Sequence, residues 1–163
     1  MGPPRLSRLV VTDTGPLIHL DQADELHLLE LTGEIYIPET VLTELEPGST
    51  DISELEVTVE HVEYDESTYP HLDPGETAAL VLSVDRDAVL LTDDLDARKT
   101  AQDENIEVHG SVGVVLYAYS RGELSETAAK RVLRALKRDT NLYLSSPLVE
   151  HAIRLVDSDD AGW

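Results

Sequence analysis

Short apolar runs, each followed by a helical pattern, limit what this chain can fold into. Residues 9–12, Leu-Val-Val-Thr, end at Asp13, and the Thr-Gly-Pro after it is a turn with Pro16 placed to open a helix. Residues 34–37, 88–92 and 106–109 read as further strands, and Val-Thr-Val-Glu-His-Val (57–62) alternates like an edge strand. Between them lie helical segments. Residues 17–31 carry apolar residues at helical spacing, as two short helices meeting near Asp21 and ended by Gly33. Residues 39–45 place Val41, Leu42 and Leu45 on one stripe before Pro47 and Gly48. Asp73 to Glu76 read as the cap and first turn of a helix that buries Ala78, Ala79, Leu80, Leu82 and Val84. Helices are also expected over 95–104, from Val112 to Gly122, and over 126–138 and 147–156.

Strands separated by helices imply right-handed crossovers and a mainly parallel sheet. The expected fold is therefore α/β, a three-layer α/β/α sandwich with extra C-terminal helices. Residues 1–8 are expected as an N-terminal extension, 9–124 as the main domain, 125–156 as helices packed on it, and 157–163 as a polar tail. A length of 163 residues suits one core.

Acid is plentiful, so a single carboxylate means little. The chain has 33 Asp and Glu against 12 Lys and Arg, a formal charge of −21. Such self-repulsion destabilises a compact chain in dilute buffer, but at molar salt the Debye length falls to about 3 Å. Nine of the twelve bases are Arg, and a halophilic, high-salt cytosol is the favoured setting. Zero cysteines exclude disulfides and thiolate zinc sites. No apolar run reaches membrane-span length and the start lacks a signal-peptide core, so a soluble, cytoplasmic protein without membrane association is expected.

What stands out is placement. Asp13, Glu44, Glu76 and the pair Asp93/Asp94 each sit where a strand or helix begins or ends. In open parallel sheets the ligand crevice lies beyond the carboxyl ends of the strands, where strand order reverses. Asp13 and Asp93/Asp94 follow strands directly, and Glu44 and Glu76 come from helices able to flank the crevice. Carboxylates held close raise one another's pKa unless a cation neutralises them. A hard divalent ion, Mg²⁺ or Mn²⁺, is the natural occupant. Plainer roles compete: Asp13 and Asp93/Asp94 as helix caps, Asp73 with Glu76 as a capping box, Glu44 as a solvated glutamate. Arg98 can brace the carboxylates, and Thr14 can orient a water or shape the turn. The six histidines show no metal-ligand spacing.

The runs VVTDTGPLIHL, IPETVLTEL, GETAALVLS and VLLTDDLDARKTA, with acids about 30, 30 and 18 residues apart, resemble the PIN domain, specifically the archaeal and bacterial PIN-like proteins related to VapC toxins. The resemblance covers about residues 9–124. It implies that Asp13 is the first-strand metal ligand, Glu44 the helix glutamate, Glu76 the third acid and Asp94 the aspartate of a T-x-D motif, with Asp93 or Asp96 able to assist. It further implies a Mg²⁺- or Mn²⁺-dependent endoribonuclease, the toxin of a toxin–antitoxin pair, with RNA as substrate, an antitoxin protein as partner and a homodimer as assembly. Glu76 departs from the Asp more usual at its position in the toxins.

RNA needs a basic surface, and Arg121, Lys130, Arg131, Arg134, Lys137 and Arg138 hold half of the chain's bases. Lys130, Arg134 and Arg138 fall on one helix face, suited to phosphates or to an acidic partner. Two other classes remain as rivals. One is an inactive PIN-like module that binds RNA or protein. The other is a phosphotransferase of the haloacid dehalogenase type, disfavoured because Gly15 stands where its second Asp is needed. No G-x-G-x-x-G follows the first strand, which also disfavours a dinucleotide-binding fold.

Overall fold

In the computed structural model, which describes residues 8–159, the strands are β1 (Leu9–Thr12), β2 (Glu34–Pro38), β3 (Val57–Glu60), β4 (Val89–Leu91) and β5 (Val108–His109). They pair in the order β3-β2-β1-β4-β5, and every pairing is parallel. From the central β1 the chain moves outward through β2 to β3, then returns to place β4 on the other side of β1. The reversal puts the crevice at the carboxyl ends of β1 and β4.

The helices are α1 (Thr14–Gln22), α2 (Glu39–Leu45), α3 (Pro74–Arg86), α4 (Leu95–Asp103), α5 (Ser111–Ser120), α6 (Glu126–Arg138) and α7 (Ser146–Asp157), with a 3-10 helix at Leu26–Thr32. Side chains on a strand point alternately to the two faces, so the sheet feeds two cores. Val10, Val89 and Leu91 pack in one cluster with residues of α1, α5, α6 and α7 such as Leu17, Val114, Leu133 and Val156. Val11 and Leu90 pack in the other with Ala79 and Leu80 of α3 and Ala97 and Ala101 of α4. The three-layer sandwich follows from this two-sided burial, and α6 and α7 share the first core.

Local geometry departs from the sequence reading in a few places. Val84 is 41% exposed rather than buried, because Ser83 takes the inward position and donates its hydroxyl to the Ala79 carbonyl. β5 begins at Val108, two residues late: the Ile106 N–H is used by the Ala101 carbonyl in the turn closing α4. The helix break expected near Asp21 lies after Gln22. Gly33 (φ 149°) packs against the Arg8 carbonyl, where a Cβ would sit 2.4 Å from oxygen. The expected N-terminal extension lies outside the described residues except for Arg8, and the expected tail is described only to Asp159. Among the described residues no helix is long and apolar enough to cross a membrane.

Candidate metal centre

Asp13 ends β1 and caps α1. Its Oδ1 accepts from the Thr14 N–H at 2.8 Å and its Oδ2 from the Thr92 hydroxyl at 2.9 Å. The residue is 5% exposed. Burial pushes its pKa up to about 7, helped by the charges of Asp73 and Glu44 and opposed by the two hydrogen bonds.

Across the crevice, Asp94 caps α4, its Oδ2 accepting from the Ala97 N–H at 2.9 Å. The Asp94 N–H donates to Thr92 Oγ1 at 3.2 Å. The Thr92 hydroxyl therefore ties together the two acids at the ends of β1 and β4, a role the sequence signalled only through its place in T-x-D.

Glu44, on α2, is exposed as a residue, yet both its oxygens are engaged. Oε2 accepts from the Thr14 hydroxyl at 2.7 Å and Oε1 from the Gly75 N–H at 2.9 Å. Gly75 stands in the first turn of α3, where a Cβ would lie 2.4 Å from one carboxylate oxygen and 2.6 Å from the other. Glu44 thus links the amino ends of α1 and α3, and only glycine permits the approach.

Glu76 completes a capping box: Asp73 Oδ1 accepts from the Glu76 N–H at 2.8 Å, and Glu76 Oε2 accepts from the Asp73 N–H at 3.2 Å. Capping leaves the side chain half-buried in the field of Asp73, Asp94 and Asp13, and its pKa is pushed up to about 8, burial being the largest cause. Asp73, read from the sequence only as a cap, belongs to the same acidic field.

Asp93 faces a different set of partners. Oδ1 accepts from the Ser111 N–H at 2.7 Å, and Oδ2 from the Ser111 hydroxyl at 2.5 Å and meets His19 Nδ1 at 2.8 Å. It locks the start of α5 to α1 with a side chain only 8% exposed. Ser111 and His19 were not anticipated, since they approach Asp93 only through the fold. Asp96 is exposed in the first turn of α4. Arg98 makes no ion pair among the described residues, so it does not brace the acids.

The basic segment lies elsewhere. Lys130 pairs with Glu126 and Asp157, Arg138 with Asp139, and Lys137 donates to Ser146. Arg121 stacks on Tyr117 at 5.9 Å. Arg134, Lys137 and Arg138 line a groove between α6 and α7 that contains none of the strand-end acids.

Among the described residues, no three acidic or imidazole side chains close into a ready cage for an ion. The donor set nevertheless fits a hard cation. Asp13, Glu44, Asp73, Glu76 and Asp94 have no basic side chain within ion-pair distance among the described residues, and the most buried carries a strongly raised pKa. An all-oxygen group short of positive charge is what a hard divalent cation relieves.

Fold and site together define a parallel α/β/α protein with an acidic crevice at its topological switch point. A family profile described as the PIN domain matches residues 9–158, through α6 and α7, and the chain belongs to that family. The family typically comprises nucleases and is generally dependent on divalent metal. Among solved structures, a PilT N-terminus domain protein, SSO1118, from the hyperthermophilic archaeon Sulfolobus solfataricus P2 is similar in fold, with a TM-score of 0.52 and 13% identity over 65% of this chain and 89% of that one. No curated protein matches the chain.

Proposed function

We propose that this chain is a divalent-metal-dependent endoribonuclease acting at the β1/β4 crevice. The observation that carries the reading is Asp13, buried at the switch point with no basic counter-charge and tied through Thr92 to Asp94. In this reading Asp13 and Asp94 hold the principal Mg²⁺ or Mn²⁺ ion. Glu76 borders the same field with Oε1 outside its capping bond, positioned to orient the attacking water or to help hold a second, weaker ion. Glu44 keeps Thr14 and the α3 terminus in place, and Asp93, although named by the sequence as a ligand, positions α5. Once bound, the ion would supply an activated water and charge stabilisation at the phosphodiester oxygens. RNA as substrate, an antitoxin as partner, a homodimer and a saline cytoplasm belong to the same reading and rest on the family resemblance and the charge.

A second reading, a PIN module that binds without cleaving, draws on the engagement of both Glu44 oxygens by the protein and on the open spacing of the acids. The test is cleavage of a panel of structured and single-stranded RNAs in molar KCl with Mn²⁺, Mg²⁺ or EDTA. Wild type should cleave only with metal, and folded Asp13→Asn/Asp94→Asn should lose at least about a hundredfold in rate. Equal rates in both proteins would refute the assigned site, and no cleavage by wild type would favour the binding module.

A further inference from the structure

Beside the crevice runs a second surface. A groove of about 320 Å³ starts at Asp93 and Gly110 and is walled by Leu95, Arg98, Leu142, Tyr143, Leu144 and Leu148. Three of these are unusually open for apolar or aromatic groups: Leu95 is 78%, Tyr143 90% and Leu148 45% exposed. Leu95 directly follows Asp94. Tyr143 is presented by the connection between α6 and α7, where Leu142 and Leu144 on either side are half-buried and the Asn141 N–H is fastened to Gln22 of α1 at 2.9 Å.

Exposure of this kind costs hydration free energy and is unexpected in a chain that is only 4% aromatic. Arg98 adds a second signal. It lines the groove one turn after Asp94 and pairs with no acid among the described residues, although acids outnumber bases nearly threefold. A flat aromatic face, an aliphatic face and a guanidinium with no direct ion pair beside the acidic crevice match one chemistry. Unpaired bases stack on aromatic rings, and the phosphates joining them attract Arg.

We propose that this groove is a subsite for an unpaired base of single-stranded RNA next to the scissile phosphate, with Tyr143 and Leu95 as stacking faces and Arg98 as the contact for the adjoining phosphate. The inference rests on the ribonuclease reading and adds to it the side chains that would seat one base and its phosphate, Tyr143, Leu95 and Arg98. Charge complementarity favours RNA over an apolar protein segment, which would leave Arg98 without a partner.

The test titrates wild type, Tyr143→Ala, Tyr143→Trp and Arg98→Ala into short single-stranded oligoribonucleotides with 2-aminopurine placed at successive positions and Ca²⁺ replacing the active metal. Fluorescence should be quenched at one position by wild type and by Tyr143→Trp. Tyr143→Ala should lose the quench and bind about tenfold more weakly. Arg98→Ala should reduce the logarithmic salt dependence of binding by about one. Tyr143 is so exposed that its replacement leaves folding intact. Unchanged quenching and affinity in Tyr143→Ala would overturn the subsite, and so would a duplex bound as tightly as the single strand. Cleavage with Mn²⁺ is measured in parallel: a wild type that cuts while Tyr143→Ala titrates normally defeats the subsite alone, and one that never cuts yet shows the position-specific quench defeats the nuclease reading alone.

Discussion

Thr92 and Asp13 show how much one hydroxyl can organise. Thr92 Oγ1 receives the Asp94 N–H and donates to Asp13 Oδ2, so the ends of β1 and β4 share a polar contact at the bottom of the crevice. Asp13 keeps that contact at a cost. Its pKa is 3.8 without perturbation and about 7 in the fold, so the folded state holds a proton more tightly than the unfolded one. Stability from this group is fully present below pH 3.8 and is lost as pH rises to about 7. In EDTA, Asp13→Asn should therefore be more stable than wild type at pH 8, by up to about 4 kcal/mol, with the difference shrinking toward pH 4. Denaturant titrations of both proteins across that range check this. Mn²⁺ should raise the stability of wild type far more than that of the variant. A pH-independent difference would show that desolvation of Asp13 is not the controlling effect.

Between elements, the brace from Glu44 to Gly75 and Thr14 joins three helices at their ends. Gly75→Ala places a methyl group inside the Glu44 carboxylate, so α2 and α3 must separate or Glu44 must swing away. The expected result is a loss of about 1–3 kcal/mol in stability and a weaker metal response, read by thermal unfolding with and without Mn²⁺. An unaffected protein would show that the brace is dispensable. The local signals for these elements were strong in the sequence. The Thr-Gly-Pro turn exposed Asp13 as a strand-end acid, and Asp73-Pro-Gly-Glu marked the start of α3, where the capping box is observed. Glu76 proves that capping and membership of the acidic field are compatible. The different surroundings of Asp93 and Asp94 were not legible, because they depend on which neighbour each carboxylate meets: Ala97 one turn ahead for Asp94, Ser111 and His19 from distant helices for Asp93. Likewise the periodicity of α6 was plain, but the acids that consume Lys130 and Arg138 were not, since one of them, Asp157, arrives from α7.

At the scale of the whole molecule, a charge of −21 on 163 residues sets the solvent in which the fold is comfortable. Screening should raise the melting temperature by several degrees between 0.1 and 1 M KCl, most of it before the Debye length reaches about 3 Å. Melting curves in a KCl series measure this, and a flat series would remove the charge argument for a saline habitat. The two-layered burial around the sheet was foreseeable from the alternation of strands and helices, because parallel crossovers leave few alternatives. The path of residues 139–145 back to the mouth of the crevice was not, since it is anchored by a side chain, Gln22, more than a hundred residues away in sequence.

The strand order carries one more implication. Asp13 and Glu44 precede β3, Glu76 and Asp94 follow the exposed connection around Glu66 and Ser67, and β1 meets β4 only across that divide. Severed there, the polypeptide would become two parts, each holding some of the acids and one side of the central strand pair. Neither would hold the whole acidic crevice alone, and the fold would thus act as a reporter of its own reassembly.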